Sequence, residues 1–237
     1  MGIIVERHLV ALPSAKLALA LHLPDAPARV PCVVACHGLH ASKDSDKYVL
    51  LGDALPAAGL ALARFDFRGC GESSGREDET TVATRIEDVE AVLSLLQGHR
   101  RLDGRFGLLG SSLGGFVALF VASRRAGIPV VTWNAPASLT ELANDDLHEN
   151  RNLGIPFALE FMKGHYALAP TGVARHLCVH GDADDVVSLD HGVQLHEQAS
   201  EPCDLVVIPG GDHRLTDTGH RARAVEASRD WFRRFLG

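Results

Sequence analysis

A serine between two glycines carries the clearest chemical signal in this chain. Gly110, Ser112 and Gly114 form a G-x-S-x-G pattern, with an apolar run (Phe106–Leu109) before it and an apolar helical pattern (Leu113–Ser123) after it. A nucleophile elbow requires this order of strand, tight turn and helix, because its serine adopts strained backbone angles between small neighbours. The N–H groups that begin the helix can stabilise an oxyanion. The pattern predicts Ser112 as a nucleophile, and a glycine-rich turn without chemistry is the alternative.

Three further polar clusters occur where predicted strands end. They lie at residues 37–40, 181–187 and 210–213, and the last two contain aspartates and His213. Catalytic side chains of open α/β sheets collect at the carboxyl ends of the strands. Serine, then acid, then histidine is also the chain order of one well-known type of catalytic triad. The clusters therefore predict one site at one edge of the sheet.

Strand and helix patterns alternate along the chain and predict how these clusters are positioned. They predict an α/β fold with a mostly parallel eight-stranded sheet flanked by helices, in a single domain over residues 1–237. Strands are predicted at residues 3–12, 16–23, 31–36, 60–67, 106–109, 129–133, 176–180 and 205–209, and helices at 45–58, 82–97, 113–123 and 219–236.

The connection at about 136–175 is too long for a bare loop and is predicted to be a small cap. Apolar and aromatic side chains are dense between Ile155 and Tyr166. We expect Phe157, Phe161 and Met162 to line a substrate pocket. The alternative is that these side chains only pack the cap onto the core.

Four sequence blocks in order resemble one family over nearly the whole chain. They are Cys36-His37-Gly38 with Ser42-Lys43-Asp44, Phe65-Asp66-Phe67-Arg68-Gly69-Cys70-Gly71-Glu72-Ser73, the elbow at 110–114, and His180-Gly181 with Asp184, Val186 and Val187. With the late Gly-Asp-His at 211–213, these blocks resemble the α/β-hydrolase superfamily. Within it, the chain is similar to small serine esterases and acyl hydrolases, including bacterial cinnamoyl/feruloyl-type esterases.

The resemblance implies a role for each matching residue. Ser112 would be the nucleophile, His213 the general base and then acid, and Asp184 the residue that orients the imidazole. The backbone N–H groups of Leu39 and Leu113 would form the oxyanion hole. Neither a cofactor nor a metal ion is implied.

Neighbouring side chains compete for these roles. Asp182 and Asp185 flank Asp184, and family spacing favours Asp184. His220 competes with His213 but falls in the predicted last helix.

His37 and His40 could ligate a metal, yet no further ligands accompany them at zinc-like spacing. We therefore expect His37 to organise the loop beside the oxyanion hole.

Net charge and composition limit the classes of partner that the protein can bind. A formal net charge of −7, a pI near 6.0 and the lack of a dense basic cluster argue against nucleic acid. No apolar run is long enough to span a bilayer, no secretory leader pattern opens the sequence, and five scattered cysteines suit a reducing compartment. We expect a cytoplasmic protein whose partner is a small-molecule ester; the sequence leaves the oligomeric state open.

The expected activity is that of a cofactor-free serine hydrolase acting on small carboxylic esters through an acyl-enzyme. A thioesterase, a small-peptide hydrolase or a perhydrolase would use the same triad. A non-catalytic binding protein with this fold is the alternative of another class. Serine at the elbow disfavours dehalogenases and epoxide hydrolases, which resemble this fold but place an aspartate there.

Overall fold

An eight-stranded sheet covered by helices organises the chain, and the computed structural model describes residues 2–140 and 153–237. The strands are β1 (Ile3–Ala11), β2 (Lys16–Pro24), β3 (Val30–Cys36), β4 (Ala61–Phe65), β5 (Leu102–Ser111), β6 (Val130–Trp133), β7 (His176–Gly181) and β8 (Cys203–Ile208). The helices in these ranges are α1 (Asp46–Ala57), α2 (Val82–Gln97), α3 (Leu113–Ser123), α4 (Ile155–Met162), α5 (Leu189–Glu197) and α6 (Thr218–Leu236).

The strand order in this sheet is β1-β2-β4-β3-β5-β6-β7-β8, and the β1–β2 and β2–β4 pairs are antiparallel whereas the other strand pairs are parallel. The prediction of a mostly parallel eight-stranded sheet is therefore confirmed. Parallel strands need helical crossovers, and these crossovers cover both faces of the sheet. Strands β2, β3, β4 and β7 are accordingly buried almost throughout, whereas the edge strand β1 is mostly exposed.

Two hydrophobic clusters sit on opposite faces of the sheet. One combines α2 and α3 with strand residues such as Val34 and Leu108, and it extends to Phe157 of α4. The other combines α1 and α6 with Val33 and Trp133. Neighbouring strand residues Val33 and Val34 belong to different clusters because side chains alternate across a strand. This packing fixes the carboxyl ends of β3, β5, β6, β7 and β8 at one edge.

Strand β4 is slightly shorter than predicted, α4 lies within the predicted cap, and two further elements differ more clearly from the sequence prediction. Strand β5 begins at Leu102 rather than at residue 106. Its pairing with β3 shifts register between Leu102 and Phe106, and Gly104, with a positive φ of 89°, lies within this irregular stretch. Helix α5 was not predicted, since Gly192 and two histidines interrupt its apolar pattern. Gly192 is there for packing: a Cβ at this position would lie 2.7 Å from Nδ1 of His180.

Helix α4 is docked on the core by its own carboxylate. Glu160 accepts hydrogen bonds from the backbone N–H groups of Val82 (2.6 Å) and Ala83 (2.9 Å), which begin α2 and lack intrahelical partners. An isolated bridge between Ser138 and Leu168 joins the two ends of this connection. Residues 141–152 of the predicted cap lie outside the described residues, so the extent of the cap stays a prediction.

Across residues 2–140 and 153–237, none of the helices combines the length and the apolar character that crossing a membrane would need.

Candidate active site

Ser112 occupies a sharp turn between β5 and α3. Its φ of 53° and ψ of −129° lie outside the regions that a non-glycine residue ordinarily adopts. The turn is held because the Ser112 N–H donates to the Trp133 carbonyl at 2.9 Å and its own carbonyl accepts from the Gly115 N–H at 2.9 Å. A strained serine at the start of a helix is the local geometry of a nucleophile elbow.

The two flanking glycines permit this turn because neighbouring backbone leaves no room for a side chain. A Cβ at Gly110 would lie 2.3 Å from the Gly114 carbonyl oxygen. A Cβ at Gly114 would lie 2.2 Å from the Cys36 carbonyl oxygen of β3. Substituting either position would therefore force the strand–turn–helix unit apart.

Asp184 and His213 are brought together by the loops after β7 and β8. The Asp184 carboxylate accepts from His213 Nδ1, at 2.8 Å for Oδ2 and 3.1 Å for Oδ1. Asp184 Oδ1 also accepts from the backbone N–H groups of Val186 (2.9 Å) and Val187 (2.8 Å). These contacts orient the carboxylate and the imidazole ring. His213 uses its Nδ1 atom for them and does not use its other ring nitrogen, Nε2.

The buried Asp184 carboxylate stays ionised. Burial by itself would raise its pKa, but hydrogen bonds from His213 and from the Val187 N–H outweigh burial and hold the pKa below the usual range. His180 lies close, with Nε2 at 3.7 Å from Asp184 Oδ2, but its Nε2 is also 2.8 Å from the Val187 carbonyl. Burial lowers the pKa of His180, which favours the neutral form of its ring. Because a neutral His180 does not compensate the negative charge of Asp184, that charge acts on His213.

Asn134 was missed by the sequence reasoning. It follows β6, has a φ of 49° and is buried. Its amide Nδ2 donates to the carbonyls of Asp212 (3.0 Å) and His213 (2.9 Å), and its Oδ1 accepts from the Gly181 N–H at 2.9 Å. Asn134 thus ties the His213 loop to the end of β7. A polar residue directly after a predicted strand was the signal that could have found it.

The loop after β3 passes directly against Ser112. A Cβ at Gly38 would lie 3.1 Å from the Ser112 Cβ, so the next residue, Leu39, borders the same space. His37 holds this loop, with Nδ1 2.8 Å from the Gly38 carbonyl and Nε2 accepting from the Phe67 N–H at 3.1 Å. Burial, with the Arg85 guanidinium nearby, lowers the pKa of His37 to about 3, so the ring is neutral.

One cavity of about 560 Å³ joins the residues predicted for the site. Ser112, His213, Leu39 and Leu113 all line it. Leu113 is the first residue of α3, where a backbone N–H has no partner inside the helix. The carboxyl ends of the strands therefore meet around one cavity that is large enough for a small molecule.

The apolar wall of the cavity comes partly from α4. Phe157 and Phe161 line it, and they share one face of the helix because they are four residues apart. Met162 does not line the cavity, and its prediction as a pocket residue was wrong: it is 80% exposed, about 100° around the helix from Phe161.

A lysine that the sequence reasoning did not select also borders the cavity. Lys47 Nζ, from the first turn of α1, donates to Ser111 Oγ at 2.6 Å, directly before Ser112 in the chain. Burial, together with Arg214 and Arg221, lowers the pKa of Lys47 to about 8. Lys47 therefore places a cationic group beside the predicted nucleophile at neutral pH.

The competing residues have other surroundings. Asp182 Oδ1 accepts from the Gly210 N–H at 2.6 Å, and Asp185 is exposed at the cavity rim. His220 lies in the first turn of α6, where its N–H donates to Asp217.

Among the described residues, Glu6, His8 and His99 form a group of possible metal ligands whose atoms lie within 4.8 Å of one another. They sit at the edge strand β1 and do not line the cavity. The His99 Nδ1 accepts from the Arg101 N–H, and its Nε2 lies 2.9 Å from Glu6 Oε2. Hydrogen bonds thus satisfy both ring nitrogens of His99. His37 and His40 are not part of this group.

Comparisons with known proteins agree with this architecture. Residues 28–138 match a family described as serine aminopeptidase, S33. Est1E from Butyrivibrio proteoclasticus, solved with ferulic acid, superposes with a TM-score of 0.84 at 21% identity, covering 97% of this chain and 99% of Est1E. The esterase domain of a Rhodothermus marinus protein superposes with a TM-score of 0.72 at 22% identity, covering 100% of both chains.

The fold and these matches define what the chain is similar to. It has the fold of the α/β hydrolases. It is also 30% identical over 164 residues to YfhR, an uncharacterized protein of Escherichia coli K12, covering 67% of this chain and 55% of YfhR. The chain thus spans about half the length of that curated relative.

Proposed function

We propose that this protein is a serine hydrolase that cleaves small carboxylic esters. One observation carries the proposal: Ser112, at a strained elbow, shares a cavity with His213, whose Nδ1 is hydrogen-bonded to the buried Asp184 carboxylate. A nucleophile, a base and a group that orients the base are the three parts that acyl transfer needs.

The proposed reaction begins when Ser112 Oγ attacks the ester carbonyl carbon and its proton passes to His213 Nε2. The N–H groups of Leu39 and Leu113 stabilise the resulting oxyanion. The intermediate collapses, the leaving alcohol takes the proton from His213, and an acyl-enzyme remains. Water then attacks the acyl carbon and gives a proton to His213. Release of the carboxylic acid returns that proton to Ser112.

The ionised Asp184 supports this sequence of proton transfers. Because its carboxylate accepts from Nδ1, the proton of a neutral His213 ring sits on Nδ1 and Nε2 is free to accept the Ser112 proton. The same carboxylate stabilises the imidazolium that then forms.

A small-peptide hydrolase with the same triad is the second candidate. The match of residues 28–138 to the serine aminopeptidase family favours it. The structural likeness to esterases, including Est1E solved with ferulic acid, favours the ester substrate. A panel of esters, thioesters and aminoacyl amides separates these substrates by kcat/KM.

The cytoplasmic location stays a prediction.

Covalent labelling tests the serine chemistry directly. We expect a fluorophosphonate probe to modify the purified protein once, at Ser112, because only an activated serine attacks this phosphorus at a useful rate. Intact-protein mass spectrometry followed by peptide mapping reads out the site. A protein that stays unmodified, or that is labelled elsewhere, would favour the non-catalytic alternative.

The aromatic wall should set acyl preference. A small apolar pocket discriminates by about 1–3 kcal/mol per methylene, so trimming Phe161 to alanine should change relative kcat/KM between short and aromatic acyl esters by roughly tenfold to a hundredfold. Phe157→Ala should act in the same direction with an added loss of stability, since Phe157 packs into the core.

Met162→Ala is the matched control on the same helix, because Met162 is exposed. Kinetics on a graded ester series, with thermal unfolding measured for each variant, decide the question. Unchanged preference in folded Phe157 and Phe161 variants would leave both residues as packing side chains.

A further inference from the structure

Lys47 is the one ammonium group among the described residues that line the cavity. Its Nζ donates to Ser111 Oγ at 2.6 Å, and the Tyr48 ring lies 5.7 Å away. Within the described ranges it makes no ion pair with a carboxylate. An ammonium has three donors, so two of them are left for a molecule in the cavity.

Three acidic groups near Lys47 are already engaged with other partners. Asp184 is bonded to His213 and to two backbone amides. Asp212 accepts from the Thr216 N–H (2.7 Å) and hydroxyl (2.6 Å). Asp46 pairs with Arg221 at 3.1 Å. None of these carboxylates neutralises Lys47 by direct contact.

Two arginines add positive charge at the same part of the cavity. Arg214 is exposed at the rim, and in the described part of the chain it forms no ion pair. Arg221 donates to the carbonyls of Leu215 and Thr216, which fixes its position. An anion placed beside Lys47 would relieve the mutual repulsion of these cations, whereas a neutral group would not.

We propose that Lys47, assisted by Arg214 at the rim, forms a subsite for a free carboxylate of the substrate. The substrate class is then an ester that carries a carboxylate within reach of the scissile bond, on the acyl or on the alcohol part. This inference rests on the proposed ester hydrolysis and narrows its substrate. Charge-assisted hydrogen bonds from an ammonium to a carboxylate in a partly buried cavity supply the selectivity.

Matched acid and amide substrates test the subsite. Monoethyl succinate against ethyl succinamate places the charge on the acyl part, and acetoxyacetate against 2-acetoxyacetamide places it on the alcohol part. The wild type should prefer the acid in one pair. Lys47→Met should reduce the ratio of kcat/KM for acid over amide by roughly tenfold to a hundredfold, and Lys47→Arg should retain part of the preference.

Lys163→Met is the matched control, since Lys163 is exposed at the end of α4 and does not line the cavity. An equal loss of kcat/KM on acid and amide in Lys47→Met would overturn the proposal and make Lys47 a positioning residue for the Ser111–Ser112 turn. A wild type without preference for the acid in either pair would overturn it as well.

Direct binding separates this inference from the proposed function. By isothermal calorimetry, succinate should bind the wild type and the Lys163→Met variant more tightly than succinamide. Lys47→Met should weaken succinate binding by roughly tenfold or more. Succinate binding that is retained in Lys47→Met overturns the subsite even if ester turnover is intact. Its specific loss supports the subsite even if the tested esters are not hydrolysed.

The pH dependence gives a further readout. Burial lowers the pKa of Lys47 to about 8, so its charge and the preference for the acid should both decline as the pH rises through that value. A preference that stays constant up to pH 9.5 would contradict the assignment to Lys47. The groups around Lys47 are its hydrogen-bond partner Ser111 and the titratable groups Tyr48, His37, Asp184, Asp212, Arg214 and Arg221.

Discussion

Replacing Ser112 by alanine should reduce kcat/KM for an activated neutral short-chain ester by about 10³-fold or more. The strained turn at Ser112 presents a hydroxyl to the cavity, and alanine keeps the turn but removes the attacking oxygen. Nucleophile and base act as a unit, so His213 cannot compensate for the lost hydroxyl. Initial rates with p-nitrophenyl acetate, on protein with matched thermal unfolding, measure the effect.

Ser111→Ala is the neighbouring control. Ser111 is buried, and its hydroxyl accepts from Lys47 rather than from His213. We therefore expect a much smaller loss on the neutral ester, together with continued fluorophosphonate labelling at Ser112. If Ser112→Ala turned over the ester at close to the wild-type rate, the assignment of Ser112 as the nucleophile would be wrong. Probe labelling of the same preparation excludes a contaminating esterase.

Local sequence patterns were sufficient for most of the fold. The helix at 82–97 was predicted with its observed bounds because its apolar spacing is regular, and the helix at 113–123 because a glycine turn precedes it. Helix α5 was not predicted because its glycine, Gly192, breaks the local pattern. Gly192 is required by the close approach of His180 from β7, and a local sequence pattern contains no information about such a contact between elements. The start of β5 was predicted too late in the chain because Asp103-Gly104 has the composition of a turn.

The candidate site, like the fold, could be predicted from the sequence only in part. Chain order and strand ends predict Ser112, His213 and an acidic residue after β7, because parallel strands bring their carboxyl ends together. The choice of Asp184 among the three aspartates there came from the family resemblance. Met162 was misplaced because composition indicates how apolar a helix is, but only the docked helix determines which face meets the cavity. Lys47 and Asn134 act through partners 64 and 47 or more residues away, and single-sequence spacing carries no information about such pairs.

Asp184→Asn should reduce kcat by about 10³-fold, far more than Asp182→Asn. The reason lies in how the carboxylate is held. Oδ1 accepts from the Val186 and Val187 N–H groups, while Oδ2 makes the shorter contact of 2.8 Å to His213 Nδ1. An asparagine must keep its oxygen on the two backbone donors, so its NH₂ group is forced to face Nδ1.

That reversal defines both the measurement and the control. With an amide donor at Nδ1, the neutral ring carries its proton on Nε2 and cannot accept the Ser112 proton, so ¹⁵N NMR of His213 should report the changed tautomer alongside the lost rate. Asp182→Asn keeps an oxygen for the Gly210 N–H and should change neither. A large loss in Asp182→Asn with normal rates in Asp184→Asn would transfer the orienting role to Asp182. A slow Asp184→Asn enzyme with an unchanged His213 tautomer would mean that Asp184 acts through its charge on the imidazolium rather than by fixing the proton.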